Sequence, residues 1–80
     1  MADENDFQMT PVSSSQIAAV GFNAATSQGR VLFSKNNALY EYDNCTESEY
    51  TAIVNGDMGG SVGITFGSLW KGIKPFRRLS

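Results

Sequence analysis

The chain has 80 residues, of which 41% are hydrophobic and 18% charged, with a formal net charge of −2. A chain of this length makes one domain that buries only about 60% of its unfolded surface, so its core is small. No apolar run approaches the roughly 18 residues of a membrane span, and the acidic start lacks the basic-then-apolar order of a secretory signal. The single cysteine, Cys45, leaves no internal disulfide to form and fits a reducing, cytoplasmic setting. With no histidine to activate it, Cys45 is expected as a buried, inert thiol.

The net charge conceals a division. Asp3, Glu4 and Asp6 place −3 in the first ten residues, while the remainder carries five acids and six bases. Four of those bases, Lys71, Lys74, Arg77 and Arg78, lie in the last ten residues. The C-terminal surface is therefore expected to attract anions even though the whole chain is acidic.

Residues 1–11 lack an apolar period and read as a flexible acidic tail, with Pro11 at the boundary. Residues 12–80 read as a single domain. Ile17-Ala18-Ala19-Val20-Gly21-Phe22 is the first expected strand, with Ala18, Val20 and Phe22 on one face. A turn over 23–29 leads to a second strand, Arg30-Val31-Leu32-Phe33. In the connection Ser34-Lys35-Asn36-Asn37-Ala38, either asparagine suits the left-handed conformation of a tight hairpin.

The third strand is Leu39-Tyr40-Glu41-Tyr42-Asp43. Alternation puts Tyr40 and Tyr42 on one face and Leu39, Glu41 and Asp43 on the other. The two carboxylates point to a wet face, so the tyrosine face is expected to be covered. The phenols then have two readings: rings of the core with hydroxyls at its edge, or a platform on which nucleic-acid bases stack. Three short strands joined by polar loops read as an antiparallel meander.

The period then changes. Thr46-Glu47-Ser48-Glu49 is a capping box, Tyr50, Ile53 and Val54 follow at helical spacing, and Gly56 stands where a C-terminal cap belongs. Val62, Phe66, Leu69 and Trp70 fit the face of a second helix, although the glycine-rich run from Gly59 to Gly67 also suits a loop. Gly63 and Gly67 would each cost such a helix roughly 1 kcal/mol relative to alanine, a penalty expected to be offset by close backbone packing. Gly60, Ser61 and Gly63 form a candidate anion site of backbone amides, without the spacing of a phosphate-binding loop or a dinucleotide fingerprint. Pro75 ends any helix, and Ile73, Phe76 and Leu79 alternate with bases in a last edge strand or extended tail. The expected fold is α+β: a three- to four-stranded antiparallel meander followed by one or two helices on one face.

This order of motifs resembles the KTSC domain. The resemblance is carried by Val12-Ser13-Ser14 with Ile17 and Val20-Gly21-Phe22, the centre Tyr40-Glu41-Tyr42, Tyr50 in the helix, Ser61-Val62-Gly63 with Phe66, and the basic-aromatic end. It covers about residues 12–79. Asn36 or Asn37 stands where the family pattern would place a hairpin glycine, and Thr46 caps where a proline is frequent. The family takes its name from a C-terminal module of some lysyl-tRNA synthetases and also occurs as small free-standing proteins of bacteria and their phages. The resemblance implies RNA binding by association, and a bacterial or phage-infected cytoplasm.

Neither histidine nor a cysteine pair of metal-binding spacing is present, so a non-enzymatic module without cofactor or metal is expected. The first expectation is a binder of RNA or single-stranded nucleic acid, with Arg30, Lys71, Lys74, Arg77 and Arg78 on phosphates and Tyr40, Tyr42 and Trp70 for stacking. The alternative is a phage-encoded protein-binding inhibitor or nucleotide-binding sponge acting on a host nucleic-acid or defence complex. An open sheet edge also makes a homodimer plausible.

Overall fold

The computed structural model describes residues 9–79. Five strands, β1 (Thr10–Pro11), β2 (Ile17–Asn23), β3 (Gln28–Phe33), β4 (Leu39–Tyr42) and β5 (Phe76–Arg78), form one antiparallel sheet in sequential order. Between β4 and β5 the chain forms two helices, α1 (Glu47–Asn55) and α2 (Val62–Leu69). The α+β meander is as expected, with two additions at its edges. Thr10 and Pro11, within the expected tail, pair with Val20 and Ala19. The basic end returns as β5 to pair with the tyrosine strand. Residues 1–8, which include all three acids of the expected tail, lie outside the described residues.

The turns follow their local chemistry. Asn37 takes φ 55°, and its neighbour Asn36 accepts the amide of Ala38 through its side chain. In the β2–β3 turn it is Ser27 that takes the left-handed conformation, at φ 56°. β2 carries a bulge between Ile17 and Ala19. An extra residue reverses the facing of everything before it, so Ile17 and Val20 both reach the core, at 1% and 0% exposure. Ala18 therefore does not share the face of Val20 and Phe22.

At α1 the Thr46 side chain accepts the Glu49 amide and the Glu49 carboxylate accepts the Thr46 amide, closing the capping box. Gly56 ends the helix at φ 65°. α2 is a helix and not a loop, capped by Ser61, whose hydroxyl accepts the Ile64 amide. Its glycines are not explained by close packing. A Cβ on Gly67 would meet nothing within 4 Å, and one on Gly63 would make only ordinary contacts.

Both helices cover the face bearing Tyr40 and Tyr42. Ile53 of α1 and Val62 and Phe66 of α2 pack there with Val20, Val31 and Tyr42. Tyr50 stacks on Phe22 with centroids 6.0 Å apart and shares a 2.6 Å hydrogen bond with Thr10, tying α1 to β1. Trp70, which follows α2, is fully buried and donates its indole N–H to Glu49 at 3.3 Å. Cys45 is 2% exposed, and burial pushes its thiol up to about 11. Among the described residues, no helix is long and apolar enough to cross a membrane.

Candidate nucleic-acid interface

The bases that the sequence gathers into one patch separate onto two sides of the sheet. Because β5 pairs Arg77 with Glu41 and β3 pairs Arg30 with Glu41, the three side chains share the uncovered face. Arg30 Nε and Arg77 Nε each lie 3.0 Å from Glu41, one on each carboxylate oxygen. Arg77 also holds Asp43 through its two terminal guanidinium nitrogens, at 2.9 and 3.2 Å. Gln28 completes the group, donating to Asp43 at 3.0 Å and to Glu41 at 3.3 Å. The amide of Gln28 and the guanidinium of Arg77 hold the Asp43 carboxyl below its ordinary value. Asp43 and Glu41 in turn keep the Arg77 guanidinium protonated. This corrects the expectation of a wet carboxylate face: Glu41 is only 6% exposed, shielded by its cations although neither α1 nor α2 covers that side.

Lys74 is also engaged. It lies 3.1 Å from Glu49 and donates to the Asn44 carbonyl at 2.6 Å. Burial alone would raise the Glu49 carboxyl, but bonds from the Thr46 amide, Lys74 and Trp70 outweigh it and hold it below its ordinary value. Glu49 thus joins the start of α1, the end of α2 and the segment leading into β5.

The two expected stacking residues nearest the centre are sealed. Trp70 is fully buried and Tyr42 is 3% exposed, with burial pushing its phenol up to about 12. Neither ring offers an open face to a base. Tyr40 differs: it lies two residues before Tyr42 on the same face of β4 and is half-buried.

Tyr40 belongs to a groove of about 830 Å³ on the helix-bearing side of the sheet. Its walls are the β3–β4 hairpin, the margin of β4 and β5, and the turn after α2, which contribute Phe33, Lys35, Asn36, Tyr40, Lys71 and Phe76 among others. Phe33 meets Tyr40 edge to face at 5.4 Å, and Phe76 lies tilted over Tyr40 at 5.7 Å and over Tyr42 at 5.6 Å. Phe76 is 56% exposed. Strand parity places Arg78, the register partner of Tyr40, on this same face. The expected residues brought together here are Tyr40 and Lys71, with Tyr42 beneath them; Arg78 shares only the face, while Arg30, Lys74, Arg77 and Trp70 are held at other places in the fold.

Phe33, Lys35 and Phe76 were not among the expected site residues. Phe76 carried one signal, its place in the apolar alternation of the basic end. Its position over the tyrosine strand depends on a pairing between residues more than thirty apart.

The anion candidates Gly60, Ser61 and Gly63 lie apart from this groove, at the start of α2. Ser61 and Gly63 line a small recess of about 240 Å³ with Ser14 and Gln16. The Ser61 hydroxyl is already used in capping, and its amide donates to Met58.

This arrangement of sheet and helices matches a solved structure, that of a KTSC domain protein from Yersinia pestis. The TM-score is 0.78 at 24% sequence identity, over 92% of this chain and 99% of the other. The chain has a KTSC-like fold. No family model and no curated protein matches the sequence. The KTSC-like architecture here is the five-stranded meander with both helices on one side, and the groove opens between the β3–β4 hairpin, β5 and the turn after α2.

Proposed function

We propose that this protein is a non-enzymatic module that binds RNA or other single-stranded nucleic acid in the groove. One observation carries the reading: the aromatic row of Phe33, Tyr40 and Phe76 stays partly open, with Lys35 and Lys71 beside it and Arg78 on the same face. Aromatic faces on a sheet accept unstacked bases whatever their identity, and ammonium groups beside them meet the phosphates. Stacking is worth about 1–3 kcal/mol per base, so two open rings support measurable affinity with few ionic contacts.

Fluorescence anisotropy with labelled oligouridylate at low salt tests the proposal. Phe76→Ala and Lys71→Ala should each weaken binding at least several-fold while leaving the far-ultraviolet spectrum unchanged. Equal affinity for both variants and the parent would reject the groove as the site.

A protein partner, as for an inhibitor of a host complex, or a second copy of this chain is the second reading, and it rests on β5. Asp43 donates to the Pro75 carbonyl and Leu79 to that of Leu39, so the backbone groups of Phe76 and Arg78 point away from β4. Such an edge accepts an added strand. Arg78→Pro removes the outward N–H without touching the pairing to β4. A dimer or complex seen by native mass spectrometry that is lost with Arg78→Pro but kept with Arg78→Ala supports strand addition; one that survives Arg78→Pro excludes it.

A further inference from the structure

We infer that the groove takes a segment of about two or three nucleotides, a short oligonucleotide or the end of a strand, and does not track a long strand. The inference rests on the nucleic-acid reading above and adds the size of the ligand to it.

Two observations carry it. The first is volume. At about 830 Å³ the groove falls in the range of roughly 300–1,000 Å³ typical of sites that enclose a small ligand. Proteins that follow a continuous strand instead use a channel spanning on the order of 4–16 nucleotides. The second is the distribution of cations. A long strand needs a basic path leading away from the stacking site, and the sequence supplies bases for one in Lys74, Arg77 and Arg30. The structure commits Lys74 to Glu49, and Arg77 and Arg30 to Glu41, with both arginines on the opposite face of the sheet. The cations lining the groove are Lys35 and Lys71, and the register places Arg78 on the same face of the sheet. Two or three phosphates are the most that such a set can neutralise.

This has a quantitative consequence. Each neutralised phosphate of a single strand contributes about −0.7 to the slope of log affinity against log salt. Two or three contacts therefore give a slope of about −1.4 to −2.1, whatever the strand length.

Competition against a labelled decamer with unlabelled uridine dimers, trimers and decamers tests this in the full chain. The trimer should match the decamer within about tenfold on a molar basis, the decamer's excess reflecting its greater number of binding frames, with a salt slope no steeper than about −2. Lys35→Ala, on an exposed turn where folding is not at stake, should flatten the slope by about 0.7. A decamer more than tenfold tighter than the trimer, a slope steeper than about −3, or a slope untouched by Lys35→Ala overturns the inference while leaving nucleic-acid binding intact. Failure of every oligomer to bind at low salt removes the parent reading and this inference with it.

Discussion

The indole of Trp70 lies flat against the backbone of Gly29, so closely that a side chain at Gly29 has no room. A Cβ there would fall on the six-membered ring, 2.6 Å from Cζ3 and 2.9 Å from Cζ2. The ring cannot retreat, because Tyr42 lies tilted over it at 5.9 Å, Phe66 meets it edge-on at 6.5 Å, and Glu49 holds its N–H. Gly29→Ala should therefore destabilise by about 1–3 kcal/mol through overpacking. Trp70→Phe should cost stability alone yet relieve part of the Gly29→Ala penalty. Denaturant unfolding of the two single variants and the double variant measures that coupling; strictly additive losses would mean that the clash is absent.

The opposite result is expected at Gly67. It is exposed in the last turn of α2 with open space around its Cα. Gly67→Ala should raise stability by roughly 0.5–1 kcal/mol, because alanine loses less backbone freedom on entering a helix. A thermal melt distinguishes gain from loss.

Glu49 caps α1, accepts from the Trp70 indole and pairs with Lys74. Glu49→Ala should cost about 2 kcal/mol, more than the typical 1 kcal/mol of a cap alone, because it also leaves the buried indole N–H unsatisfied. Glu49→Gln keeps both acceptor roles and loses only the ion pair, so its cost should be under half as large. Equal losses for the two variants would locate the whole effect in the charge.

Acid should weaken the fold in a defined window. The carboxyls of Asp43 and Glu49 lie below their ordinary values of 3.8 and 4.5 in the folded state. The unfolded chain then takes up these protons more readily than the folded one. Their contribution is therefore complete above about pH 5 and is lost as pH falls through the ordinary values towards the lowered ones. Urea midpoints across pH 7 to pH 2 should be flat and then decline, and Asp43→Asn should shallow the decline. A midpoint that rises on acidification would contradict the ion pairs.

Much of this was legible locally. The capping box at Thr46, the left-handed Asn37 and the glycine cap at Gly56 each act over four residues or fewer, so adjacent letters sufficed to place them. The helical nature of α2 was harder to read because Gly63 and Gly67 argue against it, and only the apolar face of Val62, Phe66 and Trp70 against the sheet outweighs them. The bulge in β2 left no local mark, since Ile17-Ala18-Ala19-Val20 suits either register until Ile17 has a core to enter.

The class of fold, the central strands with their tyrosines and the first helix could be read from the chain alone, because alternation, helical period and caps are short-range properties. Which bases line the groove was set by long-range pairing. Arg77 and Arg78, adjacent in sequence, part when β5 pairs with β4, for strand parity sends Arg77 to Glu41 and Asp43 on one face and Phe76 and Arg78 to the face of Tyr40 and Tyr42. A charge acquires its role from what the fold sets opposite it, and that pairing joins residues more than thirty positions apart.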